Sequence, residues 1–216
     1  MSNRQQIVDR LIEAGVVAII RTSSPDPVIP AARALLAGGV QAVEVTLTTP
    51  GACEAIQALR AELGPEALIG VGTVLNDSDA QRALDAGACY VISPICRPSL
   101  VRVAHDRGCP VMLGCYTPTE AQLAHEAGAD FIKLFPADTL GPAYIKALLA
   151  PLPHLRIVPT GGVNHETLAS FIQAGCVAVG AGSCLVSKDI VARRAWDELT
   201  QRARRFMEAL RAARGQ

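Results

Sequence analysis

The sequence predicts an α/β protein built as a single (β/α)8 (TIM) barrel with an extra N-terminal helix. Eight short apolar runs alternate strictly with eight helical patterns over the 216 residues. Strict alternation is typical of a parallel sheet whose strands are joined by right-handed helical crossovers. The units are short, so eight of them fill the chain without a linker or a low-complexity stretch. We therefore expect residues 1–216 to form one domain.

The eight predicted strands are mostly continuous apolar runs, as expected for parallel strands that are covered on both faces. They lie at residues 16–21, 42–47, 68–74, 90–94, 111–115, 131–136, 156–160 and 177–183. The alternative architecture is an open doubly wound sheet. The first strand is not followed by the GxGxxG turn that is typical of that class, which favours the barrel.

The helices are recognised by apolar residues at helical spacing and by residues that begin or end helices. The extra helix covers residues 5–14 and stops at Gly15. The Thr-Pro-Thr-Glu sequence at 117–120 predicts a capping box with proline in the first turn, and Asn164 is expected to begin the eighth helix. Helices follow the strands at residues 27–36, 50–63, 76–86, 97–107, 117–127, 142–149, 164–174 and 190–212.

Composition and charge exclude several classes of protein. The formal net charge is zero, so bulk electrostatics indicate no nucleic-acid partner. No apolar run reaches the roughly 18 residues of a membrane helix, and the polar N-terminus does not read as a signal peptide. The seven cysteines are odd in number and form no CxxC pair, which favours reduced thiols and a cytoplasmic protein.

One lysine interrupts an apolar strand that ends at Pro136. The chain contains three lysines and seventeen arginines, so Lys133 is not generic surface charge. A charged amine in a buried strand is costly unless it is paired or loses its proton. We therefore expect Lys133 to be a nucleophilic amine that forms a Schiff base with a carbonyl substrate. The alternative is a lysine at a strand end whose ammonium group reaches water.

The functional groups of such a barrel lie at the C-terminal ends of its strands. The polar residues there are Arg21, Glu44, Thr46, Thr48, Thr73, Ser93, Lys133, Thr160 and Ser183. Since strand side chains alternate between faces, Glu44 and Lys133 are expected to converge on the barrel axis. A carboxylate beside a desolvated amine can move protons in imine chemistry. The alternative is a buried ion pair with only a structural role.

Two glycine-rich segments follow the seventh and eighth strands, at residues 160–164 and 180–183. Glycines let backbone N–H groups approach an anion, and these two loops are the usual phosphate site of such barrels. Both segments together indicate a phosphorylated ligand. The four histidines lack the spacing of metal ligands, and no acidic pair at the strand ends could hold magnesium, so we expect no metal.

These residues make the chain resemble the class I aldolases for 2-keto-3-deoxy-6-phosphogluconate (KDPG) and 4-hydroxy-2-oxoglutarate (KHG). The resemblance covers nearly the whole chain and is specific in combination. The matching stretches are residues 38–47, 70–75, 92–94, 117–120, 133–136, 159–163 and 180–183. The resemblance implies that Lys133 is the Schiff-base lysine and that Glu44 is the general acid and base.

The same resemblance implies roles for the other candidate residues. A keto-acid pocket would comprise Thr73, Pro94, Phe135 and Thr160, and a phosphate site would comprise Gly161, Gly162, Gly182 and Ser183, with Arg21 adding positive charge. It also implies a cytoplasmic homotrimer of the Entner–Doudoroff pathway. Such a protein acts on a small phosphorylated keto acid and needs neither a metal nor a cofactor.

One departure from the family pattern leaves the substrate open. Many members have arginine after Val-Thr-Leu, where this chain has Thr48, so Arg21 could take over an anion contact. The related 2-keto-3-deoxy-6-phosphogalactonate (KDPGal) aldolases are therefore an alternative. Two further alternatives are a sugar-phosphate isomerase or epimerase that uses Glu44 and Lys133 without a covalent step, and a non-catalytic barrel that binds a sugar phosphate.

Overall fold

The computed structural model describes residues 3–64 and 67–215, and these residues form the predicted barrel. Residues 1–2, 65–66 and 216 of the expected domain lie outside the described part. The strands are β1 Val16–Ile20, β2 Ala42–Thr46, β3 Leu68–Gly72, β4 Val91–Ile92, β5 Val111–Cys115, β6 Phe131–Leu134, β7 Ile157–Pro159 and β8 Val179–Ala181. All pair in parallel, in the order β7-β6-β5-β4-β3-β2-β1-β8.

A parallel bridge between Thr160 and Gly180 brings the segment after β7 against β8 and nearly closes the sheet. The (β/α)8 prediction is therefore confirmed, and the open doubly wound alternative is wrong. Closure has a functional consequence, because it brings the carboxyl ends of all eight strands around one axis.

The helices alternate with the strands, as the sequence predicts. They are α1 Asn3–Ala14, α2 Val28–Ala37, α3 Ala52–Leu63, α4 Asp77–Asp85, α5 Ser99–His105, α6 Pro118–Glu126, α7 Gly141–Leu149, α8 Leu168–Gln173, α9 Lys188–Arg193 and α10 Trp196–Arg214. Thr117 and Glu120 form the expected capping box at the start of α6. None of the helices in residues 3–64 and 67–215 combines the length and apolar character that a membrane span requires.

Helix α1 covers the N-terminal end of the barrel. Its buried residues Ile7, Val8 and Leu11 belong to the same apolar cluster as Tyr90 and Phe131 from the barrel interior. Full burial of each large apolar side chain contributes about 1.5–3 kcal/mol. The extra helix therefore seals this end with apolar packing, and the polar strand residues lie toward the opposite end.

The single helix predicted over residues 190–212 is wrong, because the chain forms two helices there. Helix α9 ends at Arg193 and α10 begins at Trp196. Between them Arg194 adopts a left-handed conformation with φ of 53°. The break redirects the chain so that α10 packs along α2 and α8, and Ile190 and Leu199 on its two sides are both fully buried.

The prediction that Asn164 begins the eighth helix is also wrong, because α8 starts at Leu168. The Asn164 side chain instead accepts hydrogen bonds from the N–H groups of Glu166 and Thr167 at 2.8 and 2.9 Å. The Thr167 hydroxyl in turn accepts from the Asn164 N–H at 2.9 Å. Asparagine offers the backbone such local bonds as an alternative to helix, so residues 164–167 form a turn.

Candidate active site

A cavity of about 530 Å³ lies at the C-terminal ends of the strands. Its lining includes every candidate site residue named from the sequence. These residues are Arg21, Glu44, Thr73, Pro94, Lys133, Phe135, Thr160, Gly161, Gly162, Gly182 and Ser183. Residues from β2, from β6 and from the segments that follow β1, β3, β4, β7 and β8 thus meet in one place. Their chemical roles stay predictions.

Three other polar residues at strand ends are not part of this lining. The buried Thr46 hydroxyl lies 3.0 Å from the hydroxyl of the exposed Thr48. The buried Ser93 hydroxyl accepts a hydrogen bond from the Ile95 N–H at 3.3 Å. Thr48 is therefore not part of the cavity lining, whereas Arg21 is.

The side chains of Glu44 and Lys133 converge inside the cavity. Oε1 of Glu44 lies 3.9 Å from Nζ of Lys133, and the two side chains are 2% and 7% exposed. Strands β2 and β6 are separated by three others in the sheet, so the pair spans the barrel. The distance of 3.9 Å is longer than a hydrogen bond. The carboxylate therefore accepts no hydrogen bond from the amine and leaves its nitrogen open to a ligand. The predicted convergence is confirmed.

The environment of Glu44 perturbs its acidity. Burial raises the pKa of the Glu44 carboxyl above its ordinary value, and the positive charges of Lys133 and Arg21 lower it in part. A carboxyl whose pKa lies nearer the working pH is a better general acid and base than an ordinary glutamate. The site thus places a carboxyl group with a raised pKa beside an amine.

Gly72 makes room for the carboxyl group of Glu44, a role that sequence reasoning missed. A Cβ atom at Gly72 would lie 1.7 Å from Oε1 and 2.3 Å from Cδ of Glu44. Gly72 pairs with Thr46 in the register of β2 and β3. Glycine inside a strand often marks the close approach of another group, so the Gly-Val-Gly sequence of β3 contained this signal.

Arg21 and Thr73 form a polar contact on the side of β1 and β3. Nη2 of Arg21 donates to Oγ1 of Thr73 at 3.4 Å. Thr73 has φ of 59°, a left-handed conformation that β-branched residues rarely adopt. Backbone strain of this kind clusters at functional sites, where the surrounding structure holds it in place. A guanidinium group and a hydroxyl are therefore positioned together at the cavity wall.

The glycine-rich segments that follow β7 and β8 form another part of the wall. Gly161 and Gly162 both have left-handed backbones, with φ of 101° and 69°. A Cβ atom at Gly162 would lie 2.6 Å from Cβ of Asp138, so a side chain does not fit there. Gly182 and Ser183 line the same cavity. Small residues thus expose backbone to the cavity at the two loops where the sequence predicts phosphate.

Sequence reasoning missed five residues of the lining, which are Ile19, Val163, Cys184, Val186 and Lys188. Lys188 begins α9 and adds a third cationic side chain to the cavity. The sequence feature that could have identified Lys188 is the scarcity of lysine in this chain. Cys184 is exposed, whereas Cys96 and Cys115 pack with the core between strands and helices. All seven cysteines are free.

The chain matches known proteins over nearly its whole length. The family model described as KDPG and KHG aldolase matches residues 7–202. A 2-dehydro-3-deoxy-phosphogluconate aldolase of Haemophilus influenzae is 32% identical, with 96% of this chain and 98% of the relative covered. A 2-dehydro-3-deoxy-6-phosphogalactonate aldolase of Escherichia coli K12 is 37% identical, with 92% and 95% covered.

A solved structure extends the comparison. It is the KDPG aldolase of Legionella pneumophila "with pyruvate captured at low pH as a covalent carbinolamine intermediate". The two structures agree with a TM-score of 0.85 at 28% sequence identity, over 92% of this chain and 97% of that chain. The sequence match, the shared barrel and the residues gathered in its cavity lead to one conclusion: this chain belongs to the KDPG and KHG aldolase family.

Proposed function

We propose that this protein is a class I aldolase, with residues 1–216 as one aldolase domain, that cleaves KDPG to pyruvate and glyceraldehyde 3-phosphate. KHG, which would give pyruvate and glyoxylate, is a second substrate. The observation that carries the proposal is the buried Lys133 amine 3.9 Å from the Glu44 carboxylate in a cavity lined by glycine-rich loops. The covalently captured pyruvate in the Legionella relative supports the same chemistry here.

The reaction begins at Lys133. Its neutral amine attacks the C2 ketone to form a carbinolamine, which takes up one proton and loses water to give a protonated imine. Hydrolysis of the product imine later returns that proton. The imine is cationic and withdraws electrons from the C3–C4 bond. Because Lys133 and Phe135 lie together, with Nζ 5.4 Å from the ring centroid, the new imine forms against an aromatic face. Such a face is favourable for a cation.

Glu44 moves the protons that cleavage requires. Its carboxylate removes the proton of the C4 hydroxyl, directly or through water, and the C3–C4 bond breaks. Glyceraldehyde 3-phosphate leaves, and the bond electrons remain on the pyruvate fragment as an enamine. Glu44 then returns the proton to C3, and water hydrolyses the imine to release pyruvate and the free amine of Lys133.

The cavity walls suit the two charged ends of the substrate. The keto-acid end lies beside Thr73, with Pro94, Phe135 and Thr160 completing its pocket and Arg21 supplying positive charge. The phosphate lies against Gly161, Gly162, Gly182 and Ser183, whose backbones face the cavity. Backbone N–H groups in such loops are common phosphate ligands. No step of this mechanism needs a metal or a cofactor.

The epimeric substrate KDPGal is the second candidate. It is favoured by one observation, the 37% identity to a 2-dehydro-3-deoxy-6-phosphogalactonate aldolase over 92% of this chain. The two substrates undergo the same bond cleavage at the same lysine. The ratio of kcat/KM for KDPG and KDPGal decides between them, and a ratio above one supports our assignment.

Trapping of the imine tests the mechanism. Incubation with pyruvate and borohydride should add one reduced pyruvyl group per chain, and peptide mapping should locate it on Lys133. Lys133→Ala should show no adduct and no turnover, with an unchanged circular dichroism spectrum. Lys146→Ala is the matched control, because Lys146 is exposed on α7. This variant should retain both the adduct on Lys133 and turnover.

The same experiment separates the non-covalent alternatives. An isomerase or epimerase that uses Glu44 and Lys133 only as acid and base would form no adduct. A non-catalytic binding barrel would also release no pyruvate from KDPG. Folded wild-type protein without an adduct would therefore contradict the aldolase mechanism.

The assembly and location of the protein belong to the same proposal. A homotrimer is supported by large apolar side chains that are exposed after four successive strands, Leu75, Ile95, Tyr116 and Phe135, because exposed apolar patches often mark interfaces. Light scattering should give three times the 22.7 kDa chain mass, and a monomer would contradict the trimer.

The seven free thiols support a cytoplasmic enzyme of the Entner–Doudoroff pathway. Cell fractionation tests the cytoplasmic location.

A further inference from the structure

A second lysine lines the candidate active-site cavity. The chain contains only three lysines, and both Lys133 and Lys188 belong to the lining. The third, Lys146, lies on α7 outside the lining. Arginine supplies nearly all other positive charge of this protein. Lys188 therefore combines a rare residue type with a position at the mouth of the cavity.

The backbone around Lys188 is firmly anchored. The Gly182 carbonyl accepts hydrogen bonds from the N–H groups of Leu185 and Val186, at 2.9 and 2.8 Å, which folds the segment into a tight turn. Leu185 and Ile190, which flank Lys188 in sequence, are fully buried. The Lys188 backbone is thus held beside Gly182, while its long side chain remains exposed.

The acidic residues near Lys188 have other partners. Asp189 and Glu198 both pair with Arg193, at 2.6 and 2.8 Å. Among residues 3–64 and 67–215, no carboxylate forms an ion pair with Lys188. Its charge is therefore free to act on an anion in the cavity.

We propose that Lys188 binds the phosphate of the substrate and so makes this enzyme select phosphorylated over unphosphorylated keto acids. The inference rests on the proposed aldolase function, because it assigns a ligand group to the same cavity. An ammonium group adds charge-assisted hydrogen bonds to those of the loop backbone. KHG has no phosphate and ends in a carboxylate at C5, so its distal anion lies closer to the imine carbon than the C6 phosphate of KDPG does and reaches Lys188 less well. Lys188 therefore sets the ratio between the two substrates.

Kinetics of Lys188→Gln with two substrates test this inference. The kcat/KM for KDPG should fall about tenfold, mainly through KM, as expected for loss of a charged contact at a partly exposed site. The kcat/KM for KHG should stay within about twofold of wild type. Lys188→Arg keeps the charge and should recover most of the KDPG activity. Lys146→Gln is the matched control and should change neither value.

Binding of inorganic phosphate supplies a readout that does not depend on turnover. Calorimetry should show weaker phosphate binding to Lys188→Gln than to wild type and Lys146→Gln. Trapping of pyruvate on Lys133 should be equal in all three, since pyruvate carries no phosphate. Equal losses with KDPG and KHG, or unchanged phosphate affinity, would overturn the role of Lys188. Absence of the pyruvate adduct in wild type would instead overturn the aldolase proposal.

Discussion

Glu44 and Lys133 reach the same point from strands on different sides of the barrel, with Oε1 and Nζ 3.9 Å apart and both side chains buried. An isolated charge of either kind would be costly to bury. The pair offsets part of that cost and leaves each group in contact with the cavity. The same arrangement that makes the two groups tolerable in the core thus presents them to a ligand.

Glu44→Gln separates imine formation from proton transfer. The substitution keeps the size of the side chain and removes the group that carries the proton. Turnover of KDPG should fall about 10²- to 10⁴-fold, the usual contribution of a general acid or base. Lys133 remains, so borohydride should still trap pyruvate on it. A coupled assay of pyruvate release measures turnover, and mass spectrometry measures trapping.

The control for this variant is Glu54→Gln on α3, whose side chain is exposed. It should leave both turnover and trapping unchanged. Full turnover by Glu44→Gln would show that another group transfers the proton.

The raised pKa of Glu44 predicts the pH dependence of the reaction. A general base must be deprotonated, so kcat/KM is lost as the pH falls through the pKa of Glu44. Burial raises that pKa above the ordinary value of 4.5, and the acidic limb should therefore lie above pH 4.5. Arg21 lowers the pKa, so Arg21→Gln should move the limb to higher pH. The pH profile of kcat/KM measures both effects.

A shift toward lower pH in Arg21→Gln would contradict this electrostatic account. Arg102→Gln provides a comparison, because the exposed Arg102 on α5 pairs with Asp106 at 3.7 Å and does not line the cavity. Its profile should superimpose on that of wild type.

Gly72→Ala should displace the carboxyl group of Glu44. The new Cβ atom would overlap Oε1 at 1.7 Å, so the side chain must move. A displacement of about 1 Å can reduce turnover about 10²-fold. Overpacking should also lower the free energy of unfolding by about 1–3 kcal/mol. Steady-state kinetics and urea denaturation measure the two changes.

Gly70→Ala is the comparison within the same strand. The atoms nearest to its Cβ atom would belong to the ring of Tyr90, at 2.1 Å, and not to the carboxyl group of Glu44. We expect a similar loss of stability with a smaller loss of turnover in the protein that remains folded. Equal losses of turnover would mean that distortion of β3, and not the position of Glu44, limits the Gly72 variant.

Thr73→Asn should make the protein more stable and less active. Asparagine tolerates the left-handed backbone better than a β-branched residue, so the free energy of unfolding should rise by about 1 kcal/mol. The hydroxyl beside Arg21 is lost, and kcat/KM should fall about tenfold, the equivalent of one hydrogen bond. Denaturation and kinetics on the same preparation test the combination.

Arg194→Asn is a matched control, because Arg194 has φ of 53° and does not line the cavity. It should gain similar stability and keep full activity. A Thr73→Asn enzyme that is more stable and equally active would show that the strain at Thr73 serves no function.

Local chemistry explains why much of the barrel and its site could be predicted. Lys133 lies in an apolar strand, and strand alternation alone places it on the face opposite Ile132 and Leu134, which pack in the core between strands and helices. Capping of α6 by Thr117 follows from neighbouring residues. These features depend on sequence positions a few residues apart.

Other features depend on contacts between distant segments. The break at Arg194 lets α10 pack along α2 and α8. The turn at Asn164 differs, because there local side-chain bonds replace the start of a helix. Neither has a distinct signal in the hydrophobic pattern, because both flanking segments remain apolar on one face.

The sequence by itself determined the alternation of strands and helices, the strand-borne Lys133 and Glu44, and the glycines of the last two loops, because these follow from the periodicity and chemistry of neighbouring residues. Only the tertiary structure decided that Gly72 makes room for Glu44 and that Lys188 faces the cavity. The first depends on the pairing of β2 with β3, and the second on the turn that carries the chain from β8 to α9. Both bring together groups that are not neighbours in the chain.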